Sequence, residues 1–258
     1  MEISEHIAAI EADGGLLADA AVEAGLTAPV PACPGWQVRD LVRHQAYVHS
    51  WAARHIAEQA AELIDEGDEA TLLGGGPPDE ELIDDYRAGL AALVHTLREA
   101  DPDVACATFL AADSPKSFWC RRQAHETAVH RFDAQAARRS GPPSPAEAFG
   151  PDFAADGIDE LIMGLAARPR RSGPGQSLLV RAQDAGAAWH YEWPADGCVV
   201  PQRVLDERGP DADCVLSGPA SGVYLFLWNR CPAADAGIMI NGDPGVLEAW
   251  NGGIRVRW

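Results

Sequence analysis

The segment Ser140-Gly141-Pro142-Pro143-Ser144-Pro145 constrains the fold of this chain more than any other. Each proline removes a backbone donor and biases the preceding residue away from α geometry, so no regular helix or central strand runs through it. Before it, apolar residues recur at three- and four-residue intervals; after it come short β-rich runs separated by Gly, Pro and Asp. At 258 residues the chain is long enough for two ordinary domains. The break puts their boundary at about residues 140–150.

Four helices are expected in the first part. Ile7, Ile10, Leu16, Leu17, Ala20 and Ala21 form the apolar set of a helix over residues 4–25, weakened in the middle by Gly14-Gly15. The prolines of residues 29–35 force a loop. Helical spacing resumes with Trp36, Val38, Leu41, Val42, His44, Gln45, Val48 and Trp51, and predicts a second helix to about residue 64. Gly74-Gly75-Gly76-Pro77-Pro78 lacks the Lys-Ser/Thr and the preceding strand of a phosphate-binding loop, and reads as a connector. Leu82, Ile83, Tyr86, Leu90, Leu93, Val94 and Leu97 mark a third helix over residues 80–100. A fourth is expected from about 117 to 139. Such a set suggests a bundle, whose core can hold a metal site built from facing helices.

Beyond the linker, residues 153–167 read as one amphipathic helix, and residues 177–182, 187–193 and 212–216 as strands. Residues 221–229 suit a buried helix or a strand. Residues 238–240 and 254–258 are candidate closing strands. The expectation is a small α+β domain.

Composition removes several function classes. With 47% hydrophobic and 23% charged residues the chain is ordinary for a globular protein, not a disordered one. A net charge of −19 and a pI near 4.6 repel phosphate backbones and anionic lipid, so neither nucleic acid nor membrane is an expected partner. No basic-then-apolar leader and no spanning apolar run are present, which reads as cytoplasmic. The six cysteines include no CxxC pair, which argues against a zinc ribbon, and they read mostly as small buried hydrophobes.

Chemistry concentrates in Arg121-Arg122-Gln123-Ala124-His125-Glu126-Thr127-Ala128-Val129-His130-Arg131-Phe132-Asp133. Glu126 and His130, four apart, lie about 40° from each other on one helical face and can grip one ion. His125 and His130 diverge by about 140°, so an HExxH zinc-protease reading fails by one residue. Alone, the Glu126–His130 pair could equally be a solvated i,i+4 contact contributing a few tenths of a kcal/mol. A metal site needs a third ligand, and His44 on the second helix is the best candidate. Asp133 could accept from a ligand imidazole or pair with Arg131 or a neighbouring helix, and Asp40 faces the same choice. His49, His55, His95 and His125 read as surface or packing histidines, and Trp36, Trp119 and Trp228 as core.

Two stretches carry a resemblance: Pro31-Ala32-Cys33-Pro34-Gly35-Trp36-Gln37-Val38-Arg39-Asp40-Leu41-Val42-Arg43-His44, and His125-Glu126-Thr127-Ala128-Val129-His130-Arg131-Phe132-Asp133-Ala134. Together with Asp156-Gly157-Ile158-Asp159-Glu160-Leu161, Leu225-Phe226-Leu227-Trp228-Asn229-Arg230 and Ile240-Asn241-Gly242-Asp243-Pro244, the sequence resembles the mycothiol-dependent maleylpyruvate isomerase family of actinobacteria. The resemblance implies a DinB-like four-helix metal-binding domain over residues 1–143, followed by a sterol-carrier-like α+β domain over residues 150–258. It implies that His44, Glu126 and His130 are metal ligands and that Arg230 is catalytic, although a helix-terminal arginine can also simply serve the helix dipole. The implied cofactors are a divalent metal, zinc in the family's best-known member, and mycothiol as thiol cosubstrate.

The expected activity is therefore an isomerase or thiol S-transferase acting on a small electrophilic, carboxylate-compatible substrate, in a monomer or homodimer. A metal-activated thiolate would attack the electrophile while Arg230 holds a carboxylate or oxyanion. The competing expectation is a non-catalytic protein that keeps the fold and binds a metal or small ligand.

Overall fold

A computed structural model of the protein describes residues 1–65, 76–167, 175–195, 199–205 and 209–253. The chain forms two compact units, Met1–Pro143 and Ser144–Trp258.

The first unit is built from α1 (Ile3–Ala24), α2 (Val38–Ala57), α3 (Leu82–Glu99) and α4 (Pro115–Ala136). α1 and α2 each pack against both α3 and α4, closing a four-helix bundle. Leu17, Ala21, Val38, Leu41, Val42, Leu82 and Tyr86 pack in one apolar cluster within it. α1 runs unbroken through Gly14-Gly15 because Gly14 is a contact point: a Cβ there would sit 2.6 Å from the Leu90 side chain of α3. α2 stops at Ala57, earlier than its apolar pattern, and Gln59 adopts a positive φ of 49°. The chain then folds back, so that Ile64 N–H donates to His55 Nε2 (3.0 Å) and Trp51 Nε1 donates to the Ile64 carbonyl (2.9 Å). The apolar run thus continues in packing but not in helix.

The loop ahead of α2 is tightly tied. Val30 N–H donates to the Trp36 carbonyl, Cys33 N–H to Val30 and Trp36 N–H to Cys33, while Gly35 takes a φ of 91° that suits glycine. Asp40 accepts from the Gln37 N–H at 2.8 Å and so caps α2. α4 begins with Pro115 after Ser114, whose hydroxyl accepts from Ser117 N–H at 3.1 Å.

The second unit has α5 (Pro151–Asp159), a π-helical turn (Glu160–Leu165), β1 (Gln176–Ala182), β2 (Ala187–Trp193), β3 (Val200–Val204), β4 (Cys214–Gly218), α6 (Ala220–Leu227), β5 (Met239–Gly242) and α7 (Gly245–Gly253). The sheet order is β3-β2-β1-β4-β5; β1 and β4 are parallel and the other pairs antiparallel. The architecture is the expected bundle followed by an α+β unit. Several details differ. Residues 153–167 divide between α5 and the π turn, where buried Asp159 accepts from Trp189 Nε1 (2.9 Å) and from Arg203. Of residues 221–229, those to Leu227 are helical and Trp228-Asn229 form the turn that ends the helix. β3 and α7 carried no sequence expectation: Pro201 disguises the first, which lies at a sheet edge where a missing N–H is tolerated, and glycines bracket the second. Gly74, Gly75 and the strand expected over residues 254–258 lie outside the described residues. Among the described residues no helix is long and apolar enough to cross a membrane.

Candidate metal centre

α4 is unusual because it is polar in sequence and buried in structure. From Phe118 to Gln135 every residue except the half-buried Arg121 is buried, including Arg122, Gln123, Glu126, Thr127, His130, Arg131 and Asp133. Buried polar groups are costly unless partnered, so such a helix must meet polar groups on its neighbours. Arg131 reaches Asp13 of α1 (2.9 Å) and donates to Gln135 (2.9 Å). His125 packs against His6 of α1, whereas Glu126, Thr127, His130 and Asp133 meet groups of α2 and its preceding loop.

There the structure brings together His44, Glu126 and His130, the three ligand candidates. His44 Nε2 lies 3.3 Å and His130 Nε2 3.2 Å from the same oxygen, Glu126 Oε1. The three ligand atoms fall within 4.8 Å of one another, and all three residues are buried. With metal–ligand bonds of 2.0–2.1 Å, the edge of a tetrahedron is about 3.3 Å. Both Oε1–Nε2 separations match that edge, so the donor set is compatible with a divalent ion.

Each end of the set is braced. His130 Nδ1 lies 2.9 Å from Asp133 Oδ2, the arrangement that directs the opposite ring nitrogen toward a metal. Of the alternatives open to Asp133, the contact with the His130 imidazole is present, and Arg131 reaches Asp13. Arg122, one turn before Glu126, donates through a terminal guanidinium nitrogen to Glu126 Oε2 at 3.1 Å. Cys33 Sγ approaches Asp133 Oδ2 at 3.8 Å from the loop before α2. Trp36, from the same loop, lays its ring near-parallel to His130 (25°, centroids 6.4 Å apart) and 5.1 Å from the His44 ring. The sequence suggested core packing for Trp36; in the structure it is half-buried and walls the candidate site.

The electrostatics agree with a cation site. Burial alone would raise the Glu126 carboxyl, but hydrogen bonds from His130 and His44 and the charges of His130 and Arg122 hold it well below the usual range. For His130, burial would lower the pKa, and contacts with Asp133 and Glu126 outweigh it, so the net shift is upward. A proton flanked by two carboxylates stands where positive charge is wanted.

A second polar layer lies one residue further along both helices. Gln45 Nε2 donates to Thr127 Oγ1 at 3.2 Å, and His49 Nε2 lies 2.8 Å from Gln45 Nε2 and 2.9 Å from Thr127 Oγ1. The His49 ring stacks on Tyr86 of α3 (28°, 5.6 Å). Burial first, and the His44 and His130 charges after it, push the His49 pKa down to about 3 against the opposing pull of Glu126. His49 is thus a neutral packing histidine. His55 is satisfied at both nitrogens, His125 is buried, and His95 is exposed.

Arg230 follows α6 in the second unit, half-buried, with its guanidinium donating to the Trp228 carbonyl at 2.8 Å. Sequence reasoning singled out Asp133 but missed Arg122. Its signal was present as an i,i+4 Arg–Glu spacing, masked by the neighbouring Arg121.

A four-helix bundle with a buried His-Glu-His cluster, followed by a small mixed-sheet α+β unit, defines the class of fold. Family comparison narrows the class. Residues 7–135 match the mycothiol maleylpyruvate isomerase N-terminal domain, and residues 152–249 the MDMPI C-terminal domain. The chain belongs to the mycothiol maleylpyruvate isomerase family. Among solved structures it is similar to a mycothiol-dependent maleylpyruvate isomerase, at 14% identity and a TM-score of 0.63, with 93% of each chain covered. A histidine-to-alanine mutant of the mycothiol-dependent maleylpyruvate isomerase matches at 13% identity and a TM-score of 0.64, again over 93% of both chains. At these identities the likeness is one of fold. No curated protein matches the sequence.

Proposed function

We propose that the protein is a divalent-metal- and mycothiol-dependent isomerase or S-transferase acting on a small electrophile. His44, Glu126 and His130 would hold the ion, with zinc the best match to two imidazoles and a carboxylate. The observation that carries this reading is the convergence of both imidazole Nε2 atoms on one carboxylate oxygen at the edge length of a zinc tetrahedron. A bound ion of this kind supplies Lewis acidity that favours the thiolate over the thiol.

The chain's own residues do the rest. Asp133 keeps the His130 proton on Nδ1 and its Nε2 free to ligate, and Arg122 holds the far oxygen of Glu126. Trp36 lies against the His44 and His130 rings and would shield that side of the cluster from water. Arg230 is assigned the role of binding a substrate carboxylate or a developing oxyanion. Addition of the thiolate across a conjugated double bond turns it into a rotatable single bond. Loss of the same thiolate from the enolate after rotation gives isomerisation, and protonation of the enolate carbon by water with the sulfur retained gives S-transfer.

The test is metal analysis followed by thiol titration. One equivalent of zinc, with a thiol-dependent change in the spectrum of the cobalt-substituted protein, is expected. One equivalent of zinc with no response to mycothiol would instead support a non-catalytic binding protein.

A further inference from the structure

We infer that Cys33, His130 through Nδ1, and Asp133 form a second metal site, one that contains sulfur, takes a soft or borderline divalent ion such as cadmium or zinc, and competes with the His44-Glu126-His130 set for His130.

The geometry comes first. Each of the three residues offers one ligand atom within 4.8 Å of the others. Two of them converge on a single oxygen: the Cys33 thiol donates to Asp133 Oδ2 at 3.8 Å, and His130 Nδ1 lies 2.9 Å from the same atom. With bonds of about 2.3 Å to sulfur and about 2.1 Å to oxygen or nitrogen, the sulfur–oxygen edge of a tetrahedron is about 3.6 Å and the nitrogen–oxygen edge about 3.3 Å. The sulfur already stands close to its place, and the nitrogen contact has to open by only about 0.4 Å.

The three side chains are placed by the fold rather than by an ion. His130 and Asp133 lie one turn apart on α4, both fully buried. Cys33 is held in the loop before α2, where its N–H donates to the Val30 carbonyl at 3.1 Å and its carbonyl accepts from the Trp36 N–H at 3.0 Å. It is half-buried, so the sulfur is the end of the set that meets solvent. A thiolate, an imidazole and a carboxylate suit zinc, cadmium or cobalt, whereas magnesium and calcium take oxygen ligands.

Binding balances in protons. The ion gives up water ligands, the Cys33 thiol releases its proton to solvent, and sulfur ligates as thiolate. A neutral imidazole carries one ring proton, so metal at Nδ1 leaves that proton on Nε2. There it faces Glu126 Oε1 at 3.2 Å as a donor and no longer as a ligand. One His130 nitrogen therefore ligates at a time, and a soft ion at Cys33 removes a ligand from the first set while taking Asp133 away from bracing it.

The experiment uses the full chain stripped of metal, kept reduced with a phosphine and titrated with cadmium(II) in the absence of added thiol, read by thiolate-to-metal absorption in the ultraviolet. Wild type should show a band corresponding to one thiolate per ion, and Cys33→Ser should lose it. Asp133→Asn should weaken the binding behind the band about tenfold or more, at least the loss seen when a group outside the ligands is removed. Cadmium should also protect Cys33 of the wild type from iodoacetamide, mapped by mass spectrometry, a readout that does not depend on any variant folding. No band in the wild type, the same band in Cys33→Ser, or Cys33 alkylated equally fast with and without cadmium would overturn the inference. The band should survive in His44→Ala, and its loss there would put the sulfur-bound ion in the first set and overturn the inference too. The reading of the first set is judged separately, by the zinc equivalent that Cys33→Ser should keep.

Discussion

Residues 44 and 126 form one layer of the bundle interior, and their immediate neighbours 45 and 127 form the next. Both layers are buried, both join α2 to α4, and both include a histidine of α2. The first is charged and braced from outside: Glu126 by Arg122, His130 by Asp133. The second is neutral: Gln45, His49 and Thr127 hydrogen-bond to one another and Tyr86 stacks on His49, while Gln45 Oε1 and His49 Nδ1 find no partner among the described residues. A buried histidine is therefore not a ligand by virtue of being buried. What separates His44 from His49 is the carboxylate opposite one and the hydroxyl opposite the other.

The comparison can be broken by substitution. The largest effect is expected for Glu126→Gln, which should abolish stoichiometric metal binding because the oxygen shared by both imidazoles loses its charge. It also removes the negative charge 3.1 Å from the buried Arg122 guanidinium, and breaking a buried ion pair typically costs about 3–5 kcal/mol; metal analysis and chemical denaturation would check both. Next comes Asp133→Asn, for which metal affinity should fall about 10–100-fold while the fold persists, as seen by competition with a chelator. An unchanged affinity would mean that the Asp133–His130 contact orients nothing.

The second layer should respond to pH rather than to metal. His49 is held near pKa 3 in the fold and returns to about 6.5 when unfolded. Between those values the unfolded chain binds a proton that the folded chain refuses, so stability falls as pH falls, by up to about 1.4 kcal/mol per pH unit. His49→Gln should flatten the denaturation profile between about pH 6 and 5. This is best measured on metal-loaded protein, because His130 acts in the opposite sense in the ion-free chain: with its pKa raised, its contribution is full below about 6.5 and is lost as pH rises through the folded value. The smallest effect is expected for Thr127→Val, which removes one hydroxyl from the neutral network. It should cost about 1 kcal/mol and leave metal content unchanged; a loss of metal there would show that the two layers are not separate.

Much of this was legible in the sequence. Helical spacing alone put Glu126 and His130 on one face, and the seven-residue step to Asp133 returned to it. The bundle and a small α+β unit followed from periodicity on either side of the Pro-Gly segment. What was hidden depended on contacts distant in sequence. His49 lies well round the helix from His44, and only the position of α2 between α3 and α4 buries both. Trp36 looked like core because sequence does not reveal that the turn at Gly35 swings it over the histidines. The end of α2 was masked because Ile64 packs against Trp51 and His55 without belonging to the same helix. Pro201 concealed an edge strand by the same property that suits it to the edge.

The most direct test of the central claim is the metal content of purified wild-type protein beside His44→Ala. His44 comes from a different helix than the other two proposed ligands, so its removal would break the site without altering α4. One equivalent of divalent metal in the wild type and a substoichiometric amount in His44→Ala is the predicted result. A full equivalent retained by His44→Ala would contradict the site as described.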